Sequence, residues 1–279
     1  MNTVEYLNNL VGRAHHCLYR KRKLYWSDFA RVTLFDTPRW IIADPSFWVA
    51  LALFWVPYLV CQFVCKTHPE IASQIVGEET LDYIRSMYVD FYDVEPIDRL
   101  WTVGHYLFHN GSIGFKCFCL SVLGLIPGLF ILVHNAVILG TIFGYMQSAA
   151  VDAGITANFI EFTTAHGPFE LTAIVLTAAA GMRIGFSVIM TRGYSRLDAI
   201  RRAAIQAFPT VMTAFVLFFL AAGIEALISP GKHRWLCDVL GTDALTLKII
   251  VKYVSIALLV FYFVVLGVLG VIRTRFFQR

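Results

Sequence analysis

This chain has little charge. Lys, Arg, Asp and Glu together make up 15% of its 279 residues, while 58% are hydrophobic. Soluble domains carry about 25% charged and about 45–50% apolar residues. The deficit excludes an ordinary soluble globule and identifies an integral membrane protein in contact with a lipid bilayer. The basic excess is also small, a net charge of +4. It is no footprint for nucleic acid, and in a membrane chain a basic surplus reports orientation. The six cysteines form no zinc or redox pattern. Cys61, Cys65, Cys117 and Cys119 fall in apolar runs, where Cys behaves as a small hydrophobe. Cys17 and Cys237 are expected on opposite sides of the membrane and so do not pair. Residues 1–17 have no early apolar core and no small-residue cleavage site, so no cleaved signal peptide is expected. Also missing are His-Glu-x-x-His, Gly-x-Ser-x-Gly, paired intramembrane aspartates and a phosphate loop. Gly111-Ser112-Ile113-Gly114 serves close packing rather than nucleophilic chemistry. Neither enzymatic activity nor a cofactor is expected.

Long apolar runs are present instead. About 20 apolar residues cross a bilayer. Stretches 47–65, 164–190, 208–228 and 247–272 each qualify. The run 107–150 is too long for one crossing, and Pro127-Gly128 is expected to divide it into two as a tight hairpin. The fold class is therefore all-α, a polytopic helix bundle of about six transmembrane helices. Basic clusters mark cytoplasmic segments. Arg20-Lys21-Arg22-Lys23, then Arg192, Arg196, Arg201 and Arg202, then Arg273, Arg275 and Arg279 all fall on one side. The acidic segment 66–106, with Glu70, Glu78, Glu79, Asp82, Asp90, Asp93, Glu95 and Asp98, falls on the other. Six spans with both termini cytoplasmic satisfy every cluster. The expected organisation is a cytoplasmic or interfacial helical segment at 1–44 and a transmembrane domain at 45–279. Within the latter, 66–106 is an external insertion of amphipathic helices. The N-terminal segment mixes basic residues with Tyr6, Trp26, Phe29, Phe35 and Trp40, the composition of a helix lying in the membrane interface.

Small residues recur at i,i+4 in three pairs: Gly124 and Gly128, Gly140 and Gly144, Gly181 and Gly185. Such pairs let helices approach closely in lipid. They are expected to knit spans two to four into a tight unit, with internal packing favoured over a homodimer surface. A twofold homodimer is the default form if the chain self-associates.

Ionisable groups inside hydrocarbon cost roughly 3 kcal/mol each on insertion scales, so each one is a functional candidate. His166 and Glu170 lie four residues apart and share a helix face. Orientation sets them in the outer leaflet, level with Glu225, His109 and Asn110. His134, Asn135 and Arg183 fall toward the inner side, and Lys116 near the middle. These eight residues other than Lys116 form the expected intramembrane polar network. No metal site is assigned, although His166, Glu170 and Glu225 supply ligand chemistry for one.

Several of these elements together resemble the stage II sporulation protein M family. They are Phe108-His109-Asn110-Gly111, the run from His134 to Gly140, His166-Gly167-Pro168-Phe169-Glu170-Leu171-Thr172-Ala173-Ile174 with the following 179–185, and Ile224-Glu225-Ala226 with Ser229-Pro230. Arg196-Leu197-Asp198-Ala199-Ile200 fits the basic loop before the fifth span. The likeness covers roughly 40–230. Two departures are Ala136, where the family usually has glycine, and Arg183, often apolar in relatives. The resemblance implies a multi-pass protein of the cytoplasmic membrane of a prokaryote. It also implies a scaffold that recruits or positions other membrane or envelope proteins, of the kind used in cell-envelope remodelling. Two alternatives stay open from the residues themselves. One is a transporter or proton pathway through the outer-leaflet His/Glu cluster. The other is a metal-dependent intramembrane hydrolase.

Overall fold

The computed structural model describes residues 3–7, 10–11, 26–89, 98–229, 237, 239 and 241–277. The Arg20 to Lys23 quartet, Cys17, Asp90, Asp93, Glu95 and Pro230 lie outside the described residues. Nine helices of six residues or more make up the described fold, with no strand among them. Helix α1 covers 26–43, with a π-helical turn at Val32–Asp36. Then come α2 (Pro45–Thr67), α3 (Pro69–Val76), α4 (Glu78–Ser86), α5 (Asp98–Leu123), α6 (Leu125–Met146), α7 (Ala153–Ile189) and α8 (Arg196–Leu227). Helix α9 covers 244–277 and contains a second π-helical stretch, Val260–Val268.

The helix starts follow local chemistry. Pro45 and Pro69 open α2 and α3, where their missing N–H and fixed φ cost nothing. The Asp44, Asp152 and Ser195 side chains accept from the first-turn N–H groups of Ser46, Gly154 and Asp198. Asp243 caps α9 in the same way, accepting from Thr246 N–H at 2.9 Å and Thr246 Oγ1–H at 2.6 Å. The Thr246 hydroxyl, and then its N–H, hold the exposed Asp243 carboxyl below its usual range. Gly77, at φ 89°, takes the left-handed turn that separates α3 from α4.

Five helices are long and apolar enough to cross a membrane: α2, α6, α7, α8 and residues Ala244–Arg273 of α9. The sixth expected crossing is α5. Its 26 residues reach about 39 Å at 1.5 Å per residue, but His105, His109, Asn110 and Lys116 lower its apolarity. Its contacts nonetheless extend along the bundle from Asn110 to Val122. Asn110 bonds Glu225 near the C-terminal end of α8, and 118–122 pack on Gly181 and Gly185 near the C-terminal end of α7.

The hairpin breaks earlier than the sequence suggests. A single extended residue, Gly124 (φ −167°, ψ 113°), joins α5 to α6. Pro127 and Gly128 sit inside the first turn of α6, where a proline is tolerated. Its ring excludes the Leu123 carbonyl from an i−4 bond, so the break moves upstream of the proline. Gly128 then lets this turn press against Ser121.

At the centre stands α7. Of its apolar stretch 67% is buried, against 17–33% for the other four crossings. Its 37 residues reach about 56 Å, well beyond the roughly 30 Å hydrocarbon layer. The main core gathers Ala173, Ile174, Val175, Leu176, Ala178 and Ala179 of α7 with Phe54, Leu132, Cys117 and Leu217 from four neighbours. The expected central unit of spans two to four is only part of this. Gly181 and Gly185 seat α7 on α5, whereas Gly140 and Gly144 seat α6 on α2. A Cβ at Gly140 would stand 2.9 Å from Tyr58 Cα, and one at Gly144 3.0 Å from Lys66 N. Since 140 meets 58 and 144 meets 62–66, α6 and α2 run parallel.

At one end, α3 and α4 fold back onto the bundle through Ala72 and Leu81, which pack with Cys65 and Tyr145. At the other, α1 lies against the C-terminal half of α9. Thr37 N–H bonds the Val32 carbonyl in π register. The next donor in that register would be Pro38, which has no N–H. The Thr33 carbonyl instead accepts from the Tyr262 hydroxyl at 2.8 Å.

Candidate functional site: a buried His/Glu cluster

Three helices and the residue just beyond one of them bring five polar side chains together in the half of the bundle that carries α3 and α4. Helix α7 contributes His166 and Glu170, one turn apart. Near its C-terminal end α8 contributes Glu225, and Ser229 follows just beyond it. Helix α5 contributes Asn110. Asn110, His166, Glu225 and Ser229 are all buried. Pro168, between the α7 pair, withholds an N–H from the Thr164 carbonyl without ending the helix.

The contacts are specific. Asn110 Nδ2–H donates to Glu225 Oε2 at 3.0 Å. His166 Nδ1 lies 3.2 Å from Ser229 Oγ, within hydrogen-bond reach. The other ring nitrogen, Nε2, faces both acids, 3.7 Å from Glu170 Oε2 and 3.9 Å from Glu225 Oε1. One ligand atom from each of the three residues lies within 4.8 Å of the others. Phe162, one turn before His166 on α7, sets its ring edge-on to the imidazole at 5.6 Å. Tyr88, just past α4, packs on Phe162 and Phe159 in turn, and its carbonyl accepts from Asn158 Nδ2 at 2.9 Å. An aromatic ladder thus leads from the α3–α4 cap to the imidazole.

Two carboxyl groups side by side in a dry site can both ionise only where a cation balances them; otherwise at least one keeps its proton. Among the described residues, His166 makes the only salt-bridge contacts of Glu170 and Glu225. No described Lys or Arg comes within that range.

The remaining expected residues lie elsewhere. His109 is exposed and stacks on His105 at 6.3 Å. It sits next to Asn110 in sequence, about 100° around the helix, so it leaves the layer that Asn110 joins. His134 is exposed against Phe130, and Lys116 is exposed on α5. Asn135 keeps a buried amide nitrogen without a hydrogen-bond partner. Arg183 forms a separate cluster at the opposite end of α7. It pairs with Asp44, the cap of α2, and its second nitrogen donates to Gln206 of α8 at 2.6 Å.

Sequence reading did not single out Asp44, Gln206, Glu161 or Lys248. Lys248 Nζ meets Glu161 Oε1 at 2.6 Å, with the lysine side chain only 2% exposed. Lys248 opens an apolar span, where a snorkelling lysine is ordinary. Glu161 lies five residues before His166 on α7, a spacing that sets the two about 140° apart around the helix, so periodicity gives no signal for it.

The stretch holding these residues matches the model of the family named Stage II sporulation protein M (SpoIIM) over residues 49–230. The chain belongs to that family. Asn110, His166, Glu170, Glu225 and Ser229 all fall within the SpoIIM match. The two flanking ion pairs each join a residue inside it to one outside, Asp44 or Lys248. SpoIIM is a membrane-protein family and is not known as an enzyme family. Comparison with curated proteins and with solved structures gave no match.

Proposed function

We propose that this SpoIIM protein is a non-enzymatic scaffold that positions partner proteins in the cytoplasmic membrane of a prokaryote, with both termini cytoplasmic. The observation that carries this reading is the folded cap, α3 and α4. It is anchored on its apolar side by Ala72 and Leu81. Away from those contacts it exposes Glu70, Glu78, Glu79, Asp82 and Tyr83, the last 66% exposed, with Arg85 paired to Asp82 at 2.9 Å and His68 beside Glu70 at 3.2 Å. A docked, acidic face with a large exposed aromatic suits recognition of a basic partner.

The polar groups of α7 speak for an anchored platform rather than a conducting path. Between Glu170 and Arg183 the helix offers only Thr172 and Thr177 as polar side chains. Both hydroxyls donate to carbonyls of their own helix, Pro168 and Ile174. Around them Ile174, Val175 and Leu176 are fully buried in apolar contacts. The polar clusters at the two ends are latches separated by packed hydrocarbon.

The test is photo-crosslinking in native membranes from a benzophenone amino acid at position 83. A discrete protein adduct is expected, and it should vanish when Glu78, Glu79 and Asp82 are changed to Lys together. An adduct unaffected by the charge reversal would exclude docking through this face.

A further inference from the structure

We propose that His166 Nε2, Glu170 Oε2 and Glu225 Oε1 bind one divalent transition-metal cation of the Zn²⁺ class, which clamps α7 to α8. This goes beyond the scaffold reading and does not depend on it. Three observations point the same way.

First, the separations suit a shared cation better than direct bonding. At 3.7 and 3.9 Å the imidazole nitrogen is too far from either carboxylate oxygen for a good hydrogen bond, which needs about 2.7–3.2 Å. A point equidistant from three atoms so spaced lies about 2.5 Å from each. Zn–N and Zn–O bonds are about 2.0–2.2 Å, so a cation would draw each ligand in by a few tenths of an ångström.

Second, two of the ligands are aimed by neighbours. In the tautomer that carries its proton on Nδ1, His166 donates to Ser229 Oγ, 3.2 Å away, and keeps its lone pair on Nε2, toward the acids. Asn110 occupies Glu225 Oε2 and leaves Oε1 facing the imidazole. Such outer partners fix the orientation of metal ligands and raise their affinity. A lone polar latch would not need both acids turned toward one ring nitrogen.

Third, the charges match. On binding, a divalent ion displaces the carboxyl protons to solvent, and the two carboxylates with a neutral imidazole then sum to −2, which the ion cancels. Imidazole suits Zn, Fe, Cu and Ni rather than Mg and Ca, and Zn accepts carboxylate oxygen beside imidazole nitrogen. Three protein ligands leave a further position for water. Glu170 is the least buried of the three side chains, at 15% exposure, and its edge of the site is where that ligand would enter.

The test uses untagged full-length protein in detergent, stripped with a chelator and then dialysed against buffered free Zn²⁺. Metal retained per chain is read by mass spectrometry. Wild type is expected to hold one equivalent, and Glu170→Gln and Glu225→Gln to lose it while eluting as folded protein. Ser229→Ala, which touches no metal, should weaken Zn²⁺ binding by about 10–100-fold. Co²⁺ provides an independent readout, because its visible bands report an ordered site. No retained Zn²⁺, Co²⁺ or Mn²⁺ in wild type would overturn the proposal. Equal retention in Glu170→Gln would do the same. Should both glutamine variants misfold, the Co²⁺ spectrum of wild type decides: ordered-site bands uphold the assignment, and the spectrum of the free aquo ion overturns it.

Discussion

Glu225 is the hinge of the buried cluster, because two different elements depend on it. Its Oε2 satisfies the Asn110 amide from α5, and its Oε1 faces His166 on α7. Glu170 has only the imidazole as a polar partner among the described contacts. The two acids therefore differ in what their loss leaves behind. Glu225→Ala strands a buried amide donor, and a buried donor without a partner costs about 1–3 kcal/mol. Glu170→Ala strands no hydrogen-bond donor and should cost less. Measured by reversible unfolding in mixed micelles with a chelator present, Glu225→Ala should be the more destabilised. The reverse order, or equal midpoints, would show that the Asn110 bond contributes little. Asp44 carries a comparable double duty, capping α2 at Ser46 N–H while holding Arg183. Neither residue advertises this in sequence. An aspartate before a proline reads only as a helix start, and orientation sets Glu225 in one layer with Asn110 without pairing the two. Their second partners are 139 and 115 residues away, and only the fold can supply those.

Helix contacts are decided by where a side chain is absent. Gly140 and Gly144 let α6 lie directly on the α2 backbone, while Gly104 and Gly111 on α5 have nothing within 4 Å of a Cβ position. The same residue type thus has opposite consequences. At Gly140 an added methyl would meet the Tyr58 main chain, which cannot swing aside as a side-chain tip can. Gly140→Ala should destabilise by about 1–3 kcal/mol through overpacking. Gly104→Ala should be neutral, or stabilising by up to about 1 kcal/mol from helix propensity. Thermal unfolding of the two variants side by side separates these outcomes, and similar shifts would mean that α2 and α6 pack less tightly than described. The i,i+4 glycine spacing made close packing legible from sequence, but not the partner. Spacing marks a face, whereas the choice of α2 as neighbour to α6 follows from the order in which helices return across the bundle. The hairpin breaks upstream of Pro127-Gly128 for a related reason. Proline and glycine mark a break only to within a turn, and here the extended residue is Gly124, upstream of the proline that forces it. The π turns at Val32–Asp36 and Val260–Val268 had no sequence signal beyond Pro38. They become intelligible once Tyr262 is seen to satisfy the Thr33 carbonyl that proline leaves unpaired.

Across the whole molecule, the placement of the two terminal segments fixes the parity of the crossings. Helix α1 packs on the end of α9: a Cβ at Gly267 would stand 2.8 Å from Ile42 Cγ1, and one at Gly270 2.9 Å from Arg39 Cβ. Phe47 stacks on Phe263 at 6.1 Å. The start of α2 and the finish of α9 therefore share one end of the bundle, which requires an even number of traverses between them. Five strongly apolar helices cannot meet that condition alone, so we expect the more polar α5 to be the sixth crossing. Its polarity has a use, since Asn110 reaches the buried cluster only from a helix inside the bundle. The shared end also gathers Arg39, Arg183, Arg196, Arg201 and Arg202, whereas the opposite end carries Glu70, Glu78, Glu79 and Asp82 on α3 and α4. Positive charge is retained on the cytoplasmic side, so the Arg-rich end should face the cytoplasm. In a variant with the native cysteines replaced, Tyr83→Cys should react with a membrane-impermeant maleimide in cells whose outer layers have been opened. Arg196→Cys should react only after the cytoplasmic membrane is permeabilised. Labelling of both positions without permeabilisation would contradict six crossings, because positions 83 and 196 would then lie on one side despite sitting at opposite ends of the bundle.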